Sequence, residues 1–215
     1  ERFTYTVSHD LKSPLNQIKG LVSLIKMTSN LDGEAANCLN MIEASAVRLN
    51  SMIGKILDIE AIESRQLNLN IEQVSLTDVF QGLTERFKID STQKGITLHA
   101  SIPPDVSVLI DKNYLTQILE NLLSNAIKFS PANKSIYFSL YDKGDHVIGE
   151  VRDEGPGLTD DDKKKLFSKY QKLSARPTGS ESSTGLGLSI VKKFTESMGG
   201  QIWCESESGN GASFM

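Results

Sequence analysis

The chain has 215 residues, 39% hydrophobic and 23% charged, with a formal net charge of −4, which is the composition of a globular protein able to build one or two cores without disulfide support. That mild acidity gives no electrostatic reason to expect nucleic acid or an anionic membrane surface as partner. No apolar run approaches the ~20 residues of a membrane span, and Cys38 and Cys204 lie too far apart for metal or redox spacing, so both read as reduced, buried or half-buried thiols of a cytoplasmic protein.

The first part is helical in pattern. Phe3, Val7, Leu11, Leu15, Ile18, Val22 and Ile25 recur at three- and four-residue steps, the stripe of an amphipathic helix. The cluster Ser29-Asn30-Leu31-Asp32-Gly33 ends it, and a second stripe follows through Leu39, Ile42, Ala46, Leu49, Ile53, Ile56 and Ile59. So short a loop makes the two helices antiparallel neighbours. One hairpin cannot bury both its apolar faces, so two copies are expected to pair as a four-helix bundle, a homodimer through residues 1–66. Pro14 sits inside the first pattern, where it removes the hydrogen bond to the carbonyl of Asp10 at a cost of about 3 kcal/mol. It reads either as a tolerated kink or as a bend that seats a partner.

The texture changes near Glu63–Leu69, placing one domain at 1–66 and a second at 67–215. In the second, strand-type runs at 68–71 and 96–100 interleave with helical stretches at 76–88 and 112–129. Strands follow at 135–141 and 146–152 about a Lys143-Gly144-Asp145 turn, then a helix over 186–198 and a strand pair at 201–205 and 212–215. The expected fold is an α-helical hairpin followed by an α+β two-layer sandwich, a mixed sheet with helices on one face. A helix already under way at the start and a strand still running at Met215 read as cut ends, with a membrane anchor or further domains expected outside this piece.

Four motifs carry chemistry. Ser8-His9-Asp10-Leu11-Lys12-Ser13-Pro14 puts an imidazole beside a carboxylate. Asn121, Asn125 and Lys128 fall at i, i+4 and i+7, one face of a helix. Amide oxygens there can bind Mg²⁺, and the ammonium can neutralise phosphate charge. Asp153-Glu154-Gly155-Pro156-Gly157 follows a strand, where a carboxylate in a glycine turn can accept from an adenine amino group. Gly185-Leu186-Gly187-Leu188 opens a helix, presenting N–H groups to phosphate. The Ser-, Thr- and Gly-rich stretch before it, 174–184, reads as a mobile lid. No Walker loop or dinucleotide fingerprint is present. An imidazole at one end and a nucleotide pocket at the other point to phosphoryl transfer from ATP to His9.

In this order the motifs resemble, over the whole chain, the catalytic core of sensor histidine kinases. The His9 segment resembles that family's phospho-acceptor box. Asn121, Asn125 and Lys128 resemble its asparagine box, Asp153, Gly155 and Gly157 its first glycine box, and Gly185 and Gly187 its second. Leu166-Phe167-Ser168-Lys169-Tyr170 is similar to its phenylalanine-containing segment. The resemblance implies autophosphorylation of His9 from Mg–ATP and transfer to an aspartate of a response regulator receiver domain. It implies Asn125 as the Mg²⁺ ligand, Lys128 as a phosphate contact, Asp153 as the adenine reader and Asp10 as the base that accepts or orients the His9 proton. Tyr170, Thr184, Leu186 and Leu188 join the nucleotide contacts by the same resemblance. Ser13 stands where many relatives carry Thr or Asn, so phosphatase action on the regulator is open.

Two other readings compete. A water-activating ATPase of the same pocket superfamily, such as DNA gyrase B, carries a glutamate where Asn121 stands, and Asn121 cannot act as a base. A degenerate ATP-binding dimeric scaffold predicts loss of His9, Asn125, Asp153 or a glycine; all are present.

Overall fold

The two apolar stripes form α1 (Arg2–Thr28) and α2 (Gly33–Glu63). The computed structural model describes the backbone of residues 2–28, 33–63, 68–169, 171, 173–179 and 185–215, and their side chains apart from 2–13, 28, 48, 50–52 and 55–63. The chain divides into two compact units, Glu1–Leu67 and Asn68–Met215. In the first, Leu15, Ala46 and Ile53 form a buried cluster between the helices. Lys26 Nζ lies 2.5 Å from Glu43 Oε2 across the hairpin. The helix continues through Pro14. Ile18, Leu21, Leu24 and Ile25 on α1, with Met41, Ile42, Val47 and Leu49 on α2, stay exposed. Cys38 is also exposed, correcting the expectation of a buried or half-buried thiol. It lies near the start of α2, off the Leu15–Ala46–Ile53 cluster.

The second unit opens with β1 (Glu72–Ser75) and α3 (Leu76–Gln93), continues through β2 (Thr97–Ser101) and β3 (Ser107–Ile110), and reaches α4 (Lys112–Phe129). Then come β4 (Ser135–Asp142), β5 (Val147–Asp153), α5 (Asp160–Lys165), α6 (Gly187–Ser197), β6 (Cys204–Ser206) and β7 (Ala212–Phe214). β1 and β3 form a small antiparallel ribbon. The main sheet has the order β2-β4-β5-β7-β6, with β2 parallel to β4 and every other pair antiparallel. It is therefore a mixed sheet, as expected.

Helices α3, α4 and α6 supply the other layer. Phe80, Leu123, Ile190, Val191 and Phe194 are buried with Ile136, Phe138 and Val151 of the sheet. Phe80 stacks on Phe138 with ring centroids 4.3 Å apart. The space for that ring comes from Gly149, where a β-carbon would lie 2.9 Å from Phe80 Cζ.

Several boundaries differ from expectation. The strand expected at 68–71 starts at Glu72 instead. Its partner strand ends at Ile110, because Asp111 leaves the ladder to cap α4, and the N–H of Asn70 donates to Asp111 Oδ2 at 2.8 Å. α3 runs past Lys88 to Gln93, since buried Ser91 takes the place on the helix where an apolar residue would have extended the stripe. The short β3 was hidden in a Pro-flanked stretch. α5 was hidden because Asp160–Lys165 carries no apolar residue, although Thr159 and Asp162 form a capping box.

Candidate functional site

α4 is fixed at both ends. Asp111 accepts from the backbone N–H groups of Asn113 and Tyr114 at 2.9 and 3.1 Å, an N-cap that stabilises a helix by roughly 1 kcal/mol. At the far end Lys94 Nζ donates to the carbonyls of Ile127 and Lys128 at 2.7 and 2.9 Å. Between them Ile118, Leu119, Leu122 and Leu123 are buried, while Asn121 and Asn125 are half-buried on another face. Lys128, at 9% exposure, belongs to the buried set and carries its ammonium 5.4 Å from the Phe129 ring. Glu120, next to Asn121, pairs with Arg86 of α3 instead of joining the asparagine face.

α6 is packed on α4. The Tyr114 and Phe194 rings lie 4.4 Å apart. Asn121 Nδ2 donates to the carbonyl of Gln117 at 2.9 Å, which turns its Oδ1 towards Gly187, where a β-carbon would come within 3.2 Å. Gly185 has φ +69°, and Leu186 is buried at the N-cap of α6 without a side-chain cap. Leu188 is half-buried in the first turn. The first N–H groups of α6 are therefore offered to an acceptor outside the helix.

Asp153 ends β5 with its side chain only 7% exposed. Burial pushes its carboxyl up to about 6, against backbone N–H groups of Gly155 and Ala212 that pull it down. Gly155 donates to Oδ1 at 2.8 Å. A β-carbon on Gly155 would sit 2.7 Å from that same oxygen and 3.2 Å from the Phe129 carbonyl oxygen, so only glycine lets the N–H approach the carboxyl this closely. Gly157, at φ +67°, lies against the β6–β7 turn, where a β-carbon would be 2.0 Å from the Glu207 carbonyl.

Sequence reasoning missed a further set of contacts at the start of α5 and the end of α4. Asp162 accepts from the N–H of Ser174 at 2.8 Å and from its hydroxyl. Thr178 donates its N–H to the Lys128 carbonyl at 3.1 Å. Its hydroxyl lies 3.1 and 2.9 Å from the carbonyls of Lys128 and Ser130. The one local signal was Thr159-x-x-Asp162, which marks the α5 start. The backbones of His9, Asp10 and Ser13 lie within α1, and their side chains are outside the described residues, as are Tyr170 and Thr184. His99 of β2 stacks on Tyr137 at 5.1 Å, and His146 precedes β5 beside Asp145, neither in a metal-type cluster among the described residues.

Residues 1–65 match the family described as the His Kinase A (phospho-acceptor) domain. Residues 110–215 match the family described as Histidine kinase-, DNA gyrase B-, and HSP90-like ATPase. The chain is 34% identical over 215 residues to the aerobic respiration control sensor protein ArcB of Escherichia coli K12, covering 99% of this chain and 28% of that protein. It is 32% identical to the sensor histidine kinase TmoS of Ectopseudomonas mendocina, covering 99% of this chain and 22% of that one. The chain thus spans less than a third of these relatives. The crystal structure of full-length ShkA in complex with AMPPNP superposes with a TM-score of 0.85 at 26% identity, covering 99% of this chain and 44% of that one. With the phospho-acceptor family over its helical hairpin and the kinase-type ATPase family over its α+β unit, this chain belongs to the sensor histidine kinases and spans their catalytic core.

Proposed function

We propose that the chain binds Mg–ATP in residues 67–215, phosphorylates His9 in residues 1–66, and passes the phosphoryl group to an aspartate of a response regulator receiver domain. The observation that carries this is Asp153: a buried carboxyl at a strand end, one oxygen of which is held by the N–H of a glycine that has no β-carbon to obstruct the approach. That arrangement fits an adenine amino group. Lys128 and the start of α6 fit its phosphates, with Asn121, Gly185, Leu186, Gly187 and Leu188 shaping the cradle; the sequence resemblance adds Tyr170 and Thr184 to the nucleotide contacts.

Two half-buried amides on one helix face suit a hard cation that keeps most of its own waters and the substrate's phosphate oxygens. No cluster of three His, Cys, Asp or Glu side chains offers a full protein cage among the described residues. Asn125 would hold Mg²⁺, which when bound offsets charge developing on the phosphates. The lone-pair nitrogen of neutral His9 attacks the γ-phosphorus, the bond to the bridging oxygen breaks, and ADP leaves with that electron pair. The proton on the other ring nitrogen passes to Asp10. In the second step a regulator carboxylate oxygen attacks the phosphorus and the P–N bond breaks. The exposed stripe of Ile18, Leu21, Leu24, Met41 and Val47 supports a homodimer through residues 1–66, and a response regulator partner implies that this core works in the cytoplasm.

The test is incubation with Mg²⁺ and γ-labelled ATP, comparing the chain with its His9→Gln variant. Acid-labile label lost in the variant is the expected result. Absence of label on a protein that binds ATP overturns the reading. The effect of Ser13→Ala on decay of the regulator's phosphate then decides whether Ser13 supports a phosphatase.

A further inference from the structure

We propose that Thr178 is a positioning residue for the nucleotide's phosphates, acting on Lys128 through the C-terminal turn of α4. The proposal rests on the ATP reading above and names a residue outside its motifs.

The last carbonyls of an α-helix have no partner within the helix. At the end of α4 they are filled from two directions. Lys94, the C-cap residue of α3, donates to the Ile127 and Lys128 carbonyls at 2.7 and 2.9 Å. From the other side Thr178 brings its N–H to the Lys128 carbonyl at 3.1 Å. Its hydroxyl proton is shared between the carbonyls of Lys128 and Ser130, at 3.1 and 2.9 Å. Two donors on the Lys128 carbonyl therefore come from one exposed loop residue.

That loop residue is itself held in place. Pro177 precedes it and fixes its own φ, which reduces the freedom of the approach. Four residues earlier, Ser174 is fastened to Asp162 by both its N–H and its hydroxyl. Residues 174–178 thus form a strap from the start of α5 to the end of α4. The direction of the Lys128 side chain follows from the backbone that the strap completes. Losing the Thr178 hydroxyl loosens the turn, and a polyphosphate must then order it on binding. Adenosine, which meets the site at Asp153, makes no such demand.

The experiment measures ATP and adenosine binding by calorimetry for the chain, Thr178→Val and Thr178→Ser. Thr178→Val keeps the shape and the N–H and removes the hydroxyl. We expect its ATP affinity to fall about fivefold to tenfold, the loss of one net hydrogen bond. Adenosine affinity should stay unchanged, and Thr178→Ser should restore ATP binding. Unchanged ATP affinity in Thr178→Val overturns the proposal. So does an equal loss for ATP and adenosine, or a serine variant as weak as valine. A chain that binds neither ligand overturns the ATP reading itself and this proposal with it.

Discussion

Gly155 donates its backbone N–H to Oδ1 of Asp153 at 2.8 Å, and the carboxyl it holds is only 7% exposed. A buried carboxyl is raised by desolvation and lowered by each donor that reaches it. Here desolvation wins and the carboxyl is pushed up to about 6.

The first consequence is a pH dependence of base binding. Only the ionised carboxylate accepts from an amino group with both oxygens. Adenosine affinity should be level above neutrality and fall as the pH drops through about 6, approaching tenfold per pH unit. Calorimetry with adenosine between pH 5 and 8 measures this without interference from phosphate titration. A level profile across that range would falsify the assignment of Asp153 as the base-reading group.

The same burial acts on stability with the opposite sense. Because the folded state raises this carboxyl from 3.8 to about 6, its favourable contribution is complete below 3.8 and is lost as pH rises through about 6. That loss is at most about 3 kcal/mol. Asp153→Asn removes the buried charge while keeping an acceptor for Gly155. It should be more stable than the parent at pH 8, by about 1–3 kcal/mol, and gain little at pH 4. Urea titrations at the two pH values test this; equal stability differences at both would show that the charge is not what matters. Adenosine binding should be lost in the variant throughout.

How much of this could be read beforehand depends on the range of the interaction. Asn121, Asn125 and Lys128 share a helix face because of their spacing alone, and α4 occupies the expected range, Lys112–Phe129. The hairpin stripes and the individual strands are equally local, since each apolar pattern reports on its own element. Contacts between distant residues leave no such trace. The Thr178–Lys128 contact spans 50 residues, and the approach of Gly211 to the Asp153 carbonyl depends on how β7 joins β5. β3 and α5 were missed for a related reason: one is four residues long and the other consists wholly of charged residues, so neither has an apolar period.

One substitution should act in opposite directions at two glycines. Gly157 has φ +67°, and an added β-carbon would lie 2.0 Å from the Glu207 carbonyl oxygen. Gly157→Ala should destabilise the chain by about 2–4 kcal/mol through strain and backbone displacement. Gly82 is exposed within α3, with nothing within 4 Å of an added β-carbon. Gly82→Ala should stabilise by roughly 0.5–1 kcal/mol, because alanine loses less backbone freedom in a helix. Denaturant midpoints decide both, and a stabilising Gly157→Ala would contradict the packing of the glycine turn on the β6–β7 turn.

The two thiols should separate cleanly by reactivity. Cys38 is exposed on α2, whereas Cys204 is half-buried on β6. Burial, with the charge of Asp153 as the second cause, pushes the Cys204 thiol up to about 12. The thiolate is the reactive form, so at pH 8 Cys204 offers on the order of one thiolate in ten thousand. A chromogenic disulfide reagent should label Cys38 quickly and Cys204 only after unfolding. Cys38→Ser should abolish the fast phase. Asp153→Asn should leave Cys204 slow, since burial remains the larger cause after that charge is gone. Fast labelling of Cys204 in the folded Cys38→Ser chain would mean that the β6 edge opens on the labelling timescale, contrary to the mutual backbone hydrogen bonds of Trp203 and Met215 at 3.0 and 3.1 Å that close the sheet beside it.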